Sequence, residues 1–408
     1  MPGAKLRQSS ALLLLAFAGC SSAAQPPGEV IPGIEVLLRD SLHLVSGKRV
    51  GLITNHTGVA RSRESSIDLL LERGVDLVAL FAPEHGIRGA AAPGERIESG
   101  VDERSGLPIH SLYGQTLKPT PEMLADLDVL LFDIQDIGAR YYTYVSTMAL
   151  AMKAAAERRI PFVVLDRPNP IGGDQVQGNL LEAEHSSFVG LYPIAMRHGM
   201  TAGELARLFS DSFGIAAKLH VVPAAGWRRA QWFDQTGLPW TPPSPNMPSL
   251  ESAAHYPGTC LFEGTNLSVG RGTDAAFQLI GAPWLDGDAL AERLNARGLS
   301  GVRFEPTTFT PRSPADGKYA DVPVSGVRFI LSDRASYDPT LAAVAALIEA
   351  RRLSGPRWGW LAEHFDRLAG TARLREAIET GATLAEIAKE WEQQRGAFLR
   401  LRSRYLLY

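Results

Sequence analysis

Four clusters of polar and charged residues carry most of the chemistry this chain can offer, and each follows a short apolar run. Asn55–His56 follows Val50–Thr54, and Glu84–His85 follows Val75–Ala82. Asp133–Asp136 follows Val129–Phe132, and Asp166–Asn169 follows Pro161–Leu165. Carboxylates and imidazoles at such positions can exchange protons with a substrate, and guanidinium groups can grip an anion. The sharpest segment is Pro83-Glu84-His85-Gly86-Ile87-Arg88-Gly89. Its glycines let the backbone approach a ligand closely. The same residues also fit a plain turn closed by a Glu84–Arg88 salt bridge.

Asp133-Ile134-Gln135-Asp136 leads into Gly138 and then Arg140-Tyr141-Tyr142-Thr143-Tyr144. Asp133 and Gln135 share a face if the strand continues, and Asp136 begins the turn. Acidic groups held near Glu84 would separate one another's proton affinities, which suits an acid/base set. Tyr141, Tyr142 and Tyr144 are of a type that stacks on sugar rings. The alternative is a buried polar network that fixes the next helix. Further groups stand in Asp166-Arg167-Pro168-Asn169-Pro170, in Arg197-His198-Gly199, in Phe262-Glu263-Gly264-Thr265-Asn266 and in Gly270-Arg271-Gly272-Thr273-Asp274. The last two are Gly-rich turns of a kind that favours anions.

The elements that must position these groups follow from the apolar runs. Short β-branched runs read as buried parallel strands. Helical patterns separate them: Ser65–Arg73 before Gly74, Pro121–Leu127, Val145–Arg159, and the helix that the Thr201–Glu204 capping box opens. Ile34–Leu44 reads as an amphipathic segment and Lys218–Val222 as another strand. This alternation predicts an α/β fold with a doubly wound parallel sheet. Ligands bind beyond the carboxyl ends of such strands, so the four clusters describe one site.

Trp227–Pro257 is rich in Trp, Pro, Ser and Asn and has no clear period; its three tryptophans argue against disorder. Beyond it come helical segments from Ala289, a strand at Val327–Leu331, and helices at Leu341–Arg352 and Thr383–Arg402. We expect residues 31–225 to form the first domain and 226–408 a smaller α+β domain.

The composition excludes several classes. The chain has 408 residues, 45% of them hydrophobic, and a net charge of −3. It has no basic stripe interleaved with aromatics, so nothing argues for nucleic acid. It has no Gly-x-Ser-x-Gly elbow, Walker loop, His-Glu-x-x-His pair or close His/Cys cluster. Gly270-Arg271-Gly272 does not follow a strand as a dinucleotide fingerprint requires. The sequence therefore predicts neither cofactor nor metal.

Lys5 and Arg7 precede the apolar core Ala11–Ala18 and then Phe17-Ala18-Gly19-Cys20. This resembles a bacterial lipoprotein signal over residues 1–20, with lipid on Cys20 and a linker over 21–30. An ordinary signal peptide is the alternative. Ser21 suits onward sorting to an outer membrane. We expect export and a lipid-anchored, periplasm-facing protein. Cys260 then has no disulfide partner.

One ordered series is more specific than any single motif. Thr54-Asn55-His56-Thr57-Gly58, the Pro83-Glu84-His85-Gly86 segment, Phe132–Gly138 and Leu165–Pro170 come first. Arg197-His198-Gly199-Met200-Thr201, Pro243-Ser244-Pro245-Asn246-Met247-Pro248 and Leu261–Asn266 follow, with Tyr405-Leu406-Leu407-Tyr408 at the end. The series resembles the bacterial exo-β-N-acetylmuramidase family, from about residue 30 to the end. Ile87 and Val269 depart from it, standing where an aromatic and an acidic residue are common.

The resemblance implies a Rossmann-like domain, a smaller C-terminal domain and an active site in the cleft between them. It implies release of terminal N-acetylmuramic acid from the non-reducing end of peptidoglycan fragments, with Glu84 as general acid. Glycoside hydrolysis needs such a proton donor. The substrate's own acetamido oxygen is a possible nucleophile, with Asp133, Asp136 or Glu263 to orient the amide. The lactyl carboxylate calls for an arginine, from Arg88, Arg140, Arg197 or Arg271. Asn55, His85, Gln135, Tyr141, Tyr142, Asp166, Arg167, Asn169, His198 and Asn266 complete the expected substrate contacts. A lipid-anchored protein that binds muropeptides without cleaving them is the competing reading.

Overall fold

The computed structural model describes residues 1, 3, 29–89, 91, 92 and 94–408. Cys20 and the signal region therefore lie outside the described residues. In chain order the strands are β1 (Val50–Thr54), β2 (Leu77–Ala82), β3 (Gly100–Val101), β4 (Pro108–Ser111), β5 (Val129–Asp133), β6 (Phe162–Leu165), β7 (Gln177–Leu180), β8 (Ala195–Arg197), β9 (Leu219–Val222), β10 (Leu279–Ala282), β11 (Val302–Phe309) and β12 (Val324–Leu331). The helices are α1 (Gly33–Asp40), α2 (Ser66–Glu72), α3 (Tyr144–Glu157), α4 (Ala202–Ser212), α5 (Leu250–Thr259), α6 (Gly287–Asn295), α7 (Pro339–Ser354), α8 (Ala362–Ala369), α9 (Arg373–Thr380) and α10 (Leu384–Arg402).

Seven strands form one sheet in the order β3-β4-β2-β1-β5-β6-β9. Every pairing is parallel except that of β3 with β4. The expected doubly wound sheet is present, and its two faces explain the apolar runs. Phe81, Ile53, Leu130, Phe132, Phe162 and Val164 point to one face, with residues of α3 and α4. Leu52, Leu80, Val129, Leu131, Val163 and Leu165 point to the other, with residues of α1 and α2. A strand buried on both faces cannot alternate with polar residues, so it reads as a continuous apolar run. Thr54 pairs with Asp133, so β1 and β5 end level and deliver their polar successors to the same edge.

The C-terminal part is a separate three-stranded antiparallel sheet, β10-β12-β11, packed with helices. The expected helix at Leu341–Arg352 is present as α7, which is central and buries every residue from Ala342 to Ala350. Helix α5 was illegible within the irregular stretch, because Ser252–Thr259 are all buried and Pro257 lies inside the helix. The expected helix at Pro121–Leu127 is instead a series of turns. Ala125 N–H bonds Glu122 O and Leu127 N–H bonds Leu124 O, each at 3.2 Å. So short a segment does not recover the cost of helix nucleation.

The chain end returns to the first sheet. Tyr408 donates its hydroxyl to Asp166 Oδ2 at 2.8 Å and accepts from Ala224 N–H at 2.9 Å. Its ring meets Trp227 edge-on, with centroids 4.9 Å apart. Leu407 N–H bonds Glu204 at 2.8 Å.

Candidate active site

A cavity of about 140 Å³ opens where the C-terminal part covers the carboxyl edge of the sheet. Glu84 and His85 reach it from the turn after β2, and Tyr141, Tyr142 and Thr143 from the approach to α3. Glu263 and Arg271 enter from the opposite side.

The turn that presents Glu84 is tight. His85 has φ 71°, a left-handed conformation that few non-glycine residues adopt, and Gly86 follows at φ 74°. His85 Nδ1 lies 2.9 Å from Ala91 O. A carbonyl can only accept, so Nδ1 carries a proton and donates it to Ala91 O. At Gly89 a side chain would run into the His56 ring, so glycine lets the loop lie over that residue. Glu84 accepts from the Thr143 hydroxyl through Oε2 at 2.7 Å and from Gly94 N–H through Oε1 at 3.1 Å. Burial, reinforced by the Glu84 charge, pushes the Tyr113 and Tyr142 phenols above their ordinary range, so both remain neutral. The Glu84–Arg88 salt bridge is absent. Arg88 instead forks onto Asp102, with Nη2 2.7 Å from each oxygen.

On the far side, Glu263 Oε1 pairs with Arg271 at 2.5 Å. Burial opposes the Arg271 charge, but Glu263 more than restores it, and the guanidinium is held above its usual range. Arg271 also lies 5.1 Å from the centre of the Phe277 ring. The backbone around Glu263 is clamped by Lys318, whose Nζ meets Phe262 O, Glu263 O, Thr265 O and Leu267 O at 2.7–3.3 Å. Gly264 lets α8 pack directly on this turn, because any side chain there would collide with Phe365. Cys260, a free thiol buried beside Glu263, is pushed up by burial first and by that carboxylate second.

Several expected site residues are placed elsewhere. Asp133 is fully buried, paired with Arg167 at 2.6 Å and in contact with Ser66. Asp166 accepts from Thr201, Gly203 N–H, Arg167 N–H and Tyr408. Burial nonetheless raises it to about 6. Arg140 donates to the carbonyls of Asn179, Ile194, Leu368 and Ala369. Arg197 binds Gln175, Gln177 and Ile171 O. Burial pulls both guanidinium groups down to about 10, where they stay charged. These two arginines are internal ties with no side chain in the cavity. Gln135, Asn169 and Asn266 likewise serve backbone groups. Tyr144 gives its hydroxyl to Pro243 O at 2.6 Å and lies in the core. Tyr141 is tied to Pro257 O, so its ring lines the cavity without being free to stack.

A polar layer lies beneath Tyr142. Asp136 Oδ2 accepts from Gly138 N–H at 2.7 Å and faces His198 Nε2 at 3.7 Å. Asp136 Oδ1, His198 Nε2, Asn55 Nδ2 and the Tyr142 hydroxyl are buried without a hydrogen-bond partner among the described residues. Sequence reasoning did not single out Tyr113, Thr143, Tyr256 or His364 as site residues, yet all four line the cavity. Thr143 lies inside the Arg140–Tyr144 run and was legible there; His364, on α8, had no motif around it. Among the described residues, no three His, Cys, Asp or Glu side chains gather in a group that could hold a metal ion.

Comparison with known proteins places the chain in a family. Residues 50–251 match the family description "Exo-beta-N-acetylmuramidase NamZ, N-terminal", and residues 254–408 match "Exo-beta-N-acetylmuramidase NamZ, C-terminal". The peptidoglycan beta-N-acetylmuramidase NamZ of Bacillus subtilis strain 168 is 47% identical over 382 residues, covering 93% of this chain and 92% of that protein. Two crystal structures of DUF1343 family proteins from Bacteroides fragilis NCTC 9343 are similar over 93% of this chain and 99% of theirs. They have TM-scores of 0.87 and 0.75 and identities of 38% and 32%. With both halves matched and nearly the full length shared, this chain belongs to the exo-β-N-acetylmuramidase family.

Proposed function

We propose that this chain is an exo-acting glycoside hydrolase that releases terminal N-acetylmuramic acid from the non-reducing end of peptidoglycan fragments. The observation that carries the reading is the cavity between its two parts. Glu84 faces it from one side and the Glu263–Arg271 pair from the other. Glu84 acts as general acid and gives its proton to the glycosidic oxygen as that bond breaks. The substrate's acetamido oxygen closes on C1 as the leaving group departs with the Glu84 proton, and Glu263 accepts the amide N–H. The Glu84 carboxylate then takes a proton from the water that attacks C1, which reopens the ring to the acetamide and restores the acid. Arg271 receives the lactyl carboxylate, since Arg88, Arg140 and Arg197 are engaged elsewhere. Tyr142 and Tyr256 supply apolar walls.

The deciding experiment is product analysis on a muramic-acid–glucosamine disaccharide. The full chain should release free N-acetylmuramic acid, with and without chelator. Glu84→Gln should lower turnover by about 10²–10⁴-fold while binding persists. The loss should shrink on an aryl glycoside, whose leaving group needs less protonation. Near-full activity of Glu84→Gln on the disaccharide would move the acid elsewhere.

The same reading includes export and a lipid on Cys20, supported by the apolar run and small residues before it. No helix among the described residues is long and apolar enough to cross a membrane. Cys20→Ser should release the protein from the membrane fraction. Unchanged fractionation and precursor mass would contradict the anchor.

A further inference from the structure

Thr143 stands where a threonine ordinarily caps a helix. It directly precedes α3, and a capping hydroxyl there would accept from a backbone N–H of the first turn. Ser65, Thr201, Ser249 and Thr383 all do this at their own helices. Thr143 does not. Its backbone lies at φ −67° and ψ −14°, helical where a cap is usually extended, and its side chain makes no capping bond. The hydroxyl is turned to Glu84 Oε2 at 2.7 Å. Gly94 N–H holds the other oxygen at 3.1 Å. One donor on each oxygen fixes the plane of the carboxylate. The positive end of α3, left without a side-chain cap, favours negative charge at the same place.

We propose that Thr143 is a positioning residue for Glu84, giving up its capping bond to orient the reacting carboxylate. The proposal rests on the reading of Glu84 as the catalytic acid. A hydroxyl can donate to the ionised carboxylate and accept from the protonated one, so the contact survives the whole proton cycle. A backbone N–H such as that of Gly94 can only donate. Of the two groups bonded to the carboxylate oxygens, Thr143 is the one suited to both states of Glu84; the Tyr113 phenol also faces this carboxylate.

The test compares Thr143→Val and Thr143→Ser in the full chain on the muramic-acid–glucosamine disaccharide. Valine keeps the shape and removes the hydroxyl; serine keeps the hydroxyl. We expect Thr143→Val to lower kcat by about 10–100-fold, the usual worth of a hydrogen bond to a charged group. KM should stay level. The limb of the pH–rate profile that belongs to Glu84 should move up by about one pH unit. Thr143→Ser should restore both rate and profile. If the valine disturbs folding, as thermal unfolding will report, Thr143→Ala replaces it.

An unshifted profile in a folded hydroxyl-free variant would overturn the proposal. So would a serine variant as impaired as the valine one. Failure of the underlying reading looks different: Glu84→Gln would then stay active whatever Thr143 does. The direction of the result carries further information. The alkaline limb is the one expected to move, since it belongs to the ionisation of a catalytic acid; movement of the acidic limb instead would keep Thr143 as a positioning residue and overturn the acid role of Glu84.

Discussion

At the scale of single residues, the site is defined by what each charged group is already bound to. Four arginines were equal in the sequence as partners for a substrate anion. Arg140 and Arg197 are consumed by backbone and glutamine oxygens, and Arg88 by Asp102. Only Arg271 of these lines the cavity. Its removal should therefore act on selectivity. Arg271→Gln should cost muramic-acid aryl glycosides about 2–5 kcal/mol in kcat/KM, the usual loss when a buried charge pair is broken, and cost N-acetylglucosamine analogues much less. The ratio of the two rates is the measurement. If both substrates fall equally, Arg271 serves only to hold Glu263.

At the scale of elements, buried helices carry titratable groups that tie stability to pH. His255 lies on α5, fully buried, with Nδ1 2.7 Å from the Tyr337 hydroxyl and Nε2 without a partner among the described residues. Burial first, and the Arg328 charge second, depress it to about 3. An unfolded histidine titrates near 6.5. The depressed value means that His255 contributes stability above about pH 6.5, and that this is lost progressively as the pH falls toward 3. By pH 4.5 the unfolded state has gained about 3 kcal/mol from this one ring. His255→Asn should be less stable than the parent at pH 7, with the gap narrowing by about that amount at pH 4.5. Urea unfolding at the two pH values tests it, and parallel pH curves would refute it. The Lys318 clamp acts at the same scale: a residue from the β11–β12 connection fixes the short 3₁₀ turn Cys260–Gly264 that carries Glu263.

At the scale of the whole molecule, the two parts share one apolar core and are fastened by the chain end. Asp166 holds four hydrogen-bond donors, and one of them is the last residue. Tyr408→Phe removes that donor while keeping the ring against Trp227. Loss of a hydrogen bond to a buried carboxyl should cost about 1–3 kcal/mol of stability. The active-site cavity depends on both parts meeting, so activity should fall at lower temperature than in the parent. Thermal unfolding and residual activity after heating check this together. An unchanged midpoint would show that the tail is held by packing alone.

The sequence by itself determined the strands that carry the site, since runs buried on both faces are apolar throughout and end abruptly. It also determined the capping boxes at Thr201 and Thr383, because those bonds are local. Glu84 was legible for the same reason: its motif follows a strand end directly. The tertiary structure decided which polar residues face the cavity. Asp133, Arg140 and Asp166 have the same residue types and the same strand-end or near-turn positions as groups that line the cavity. They were claimed by Arg167, by helix-end carbonyls and by Tyr408, partners between 34 and 242 positions away. Thr143 is the converse case. Its position reads locally as a helix cap, and only the approach of Glu84 from a different strand turns the hydroxyl away from that bond. Hydrogen-bond partners at long sequence separation leave no periodic trace, so their choice appears only when the chain is folded.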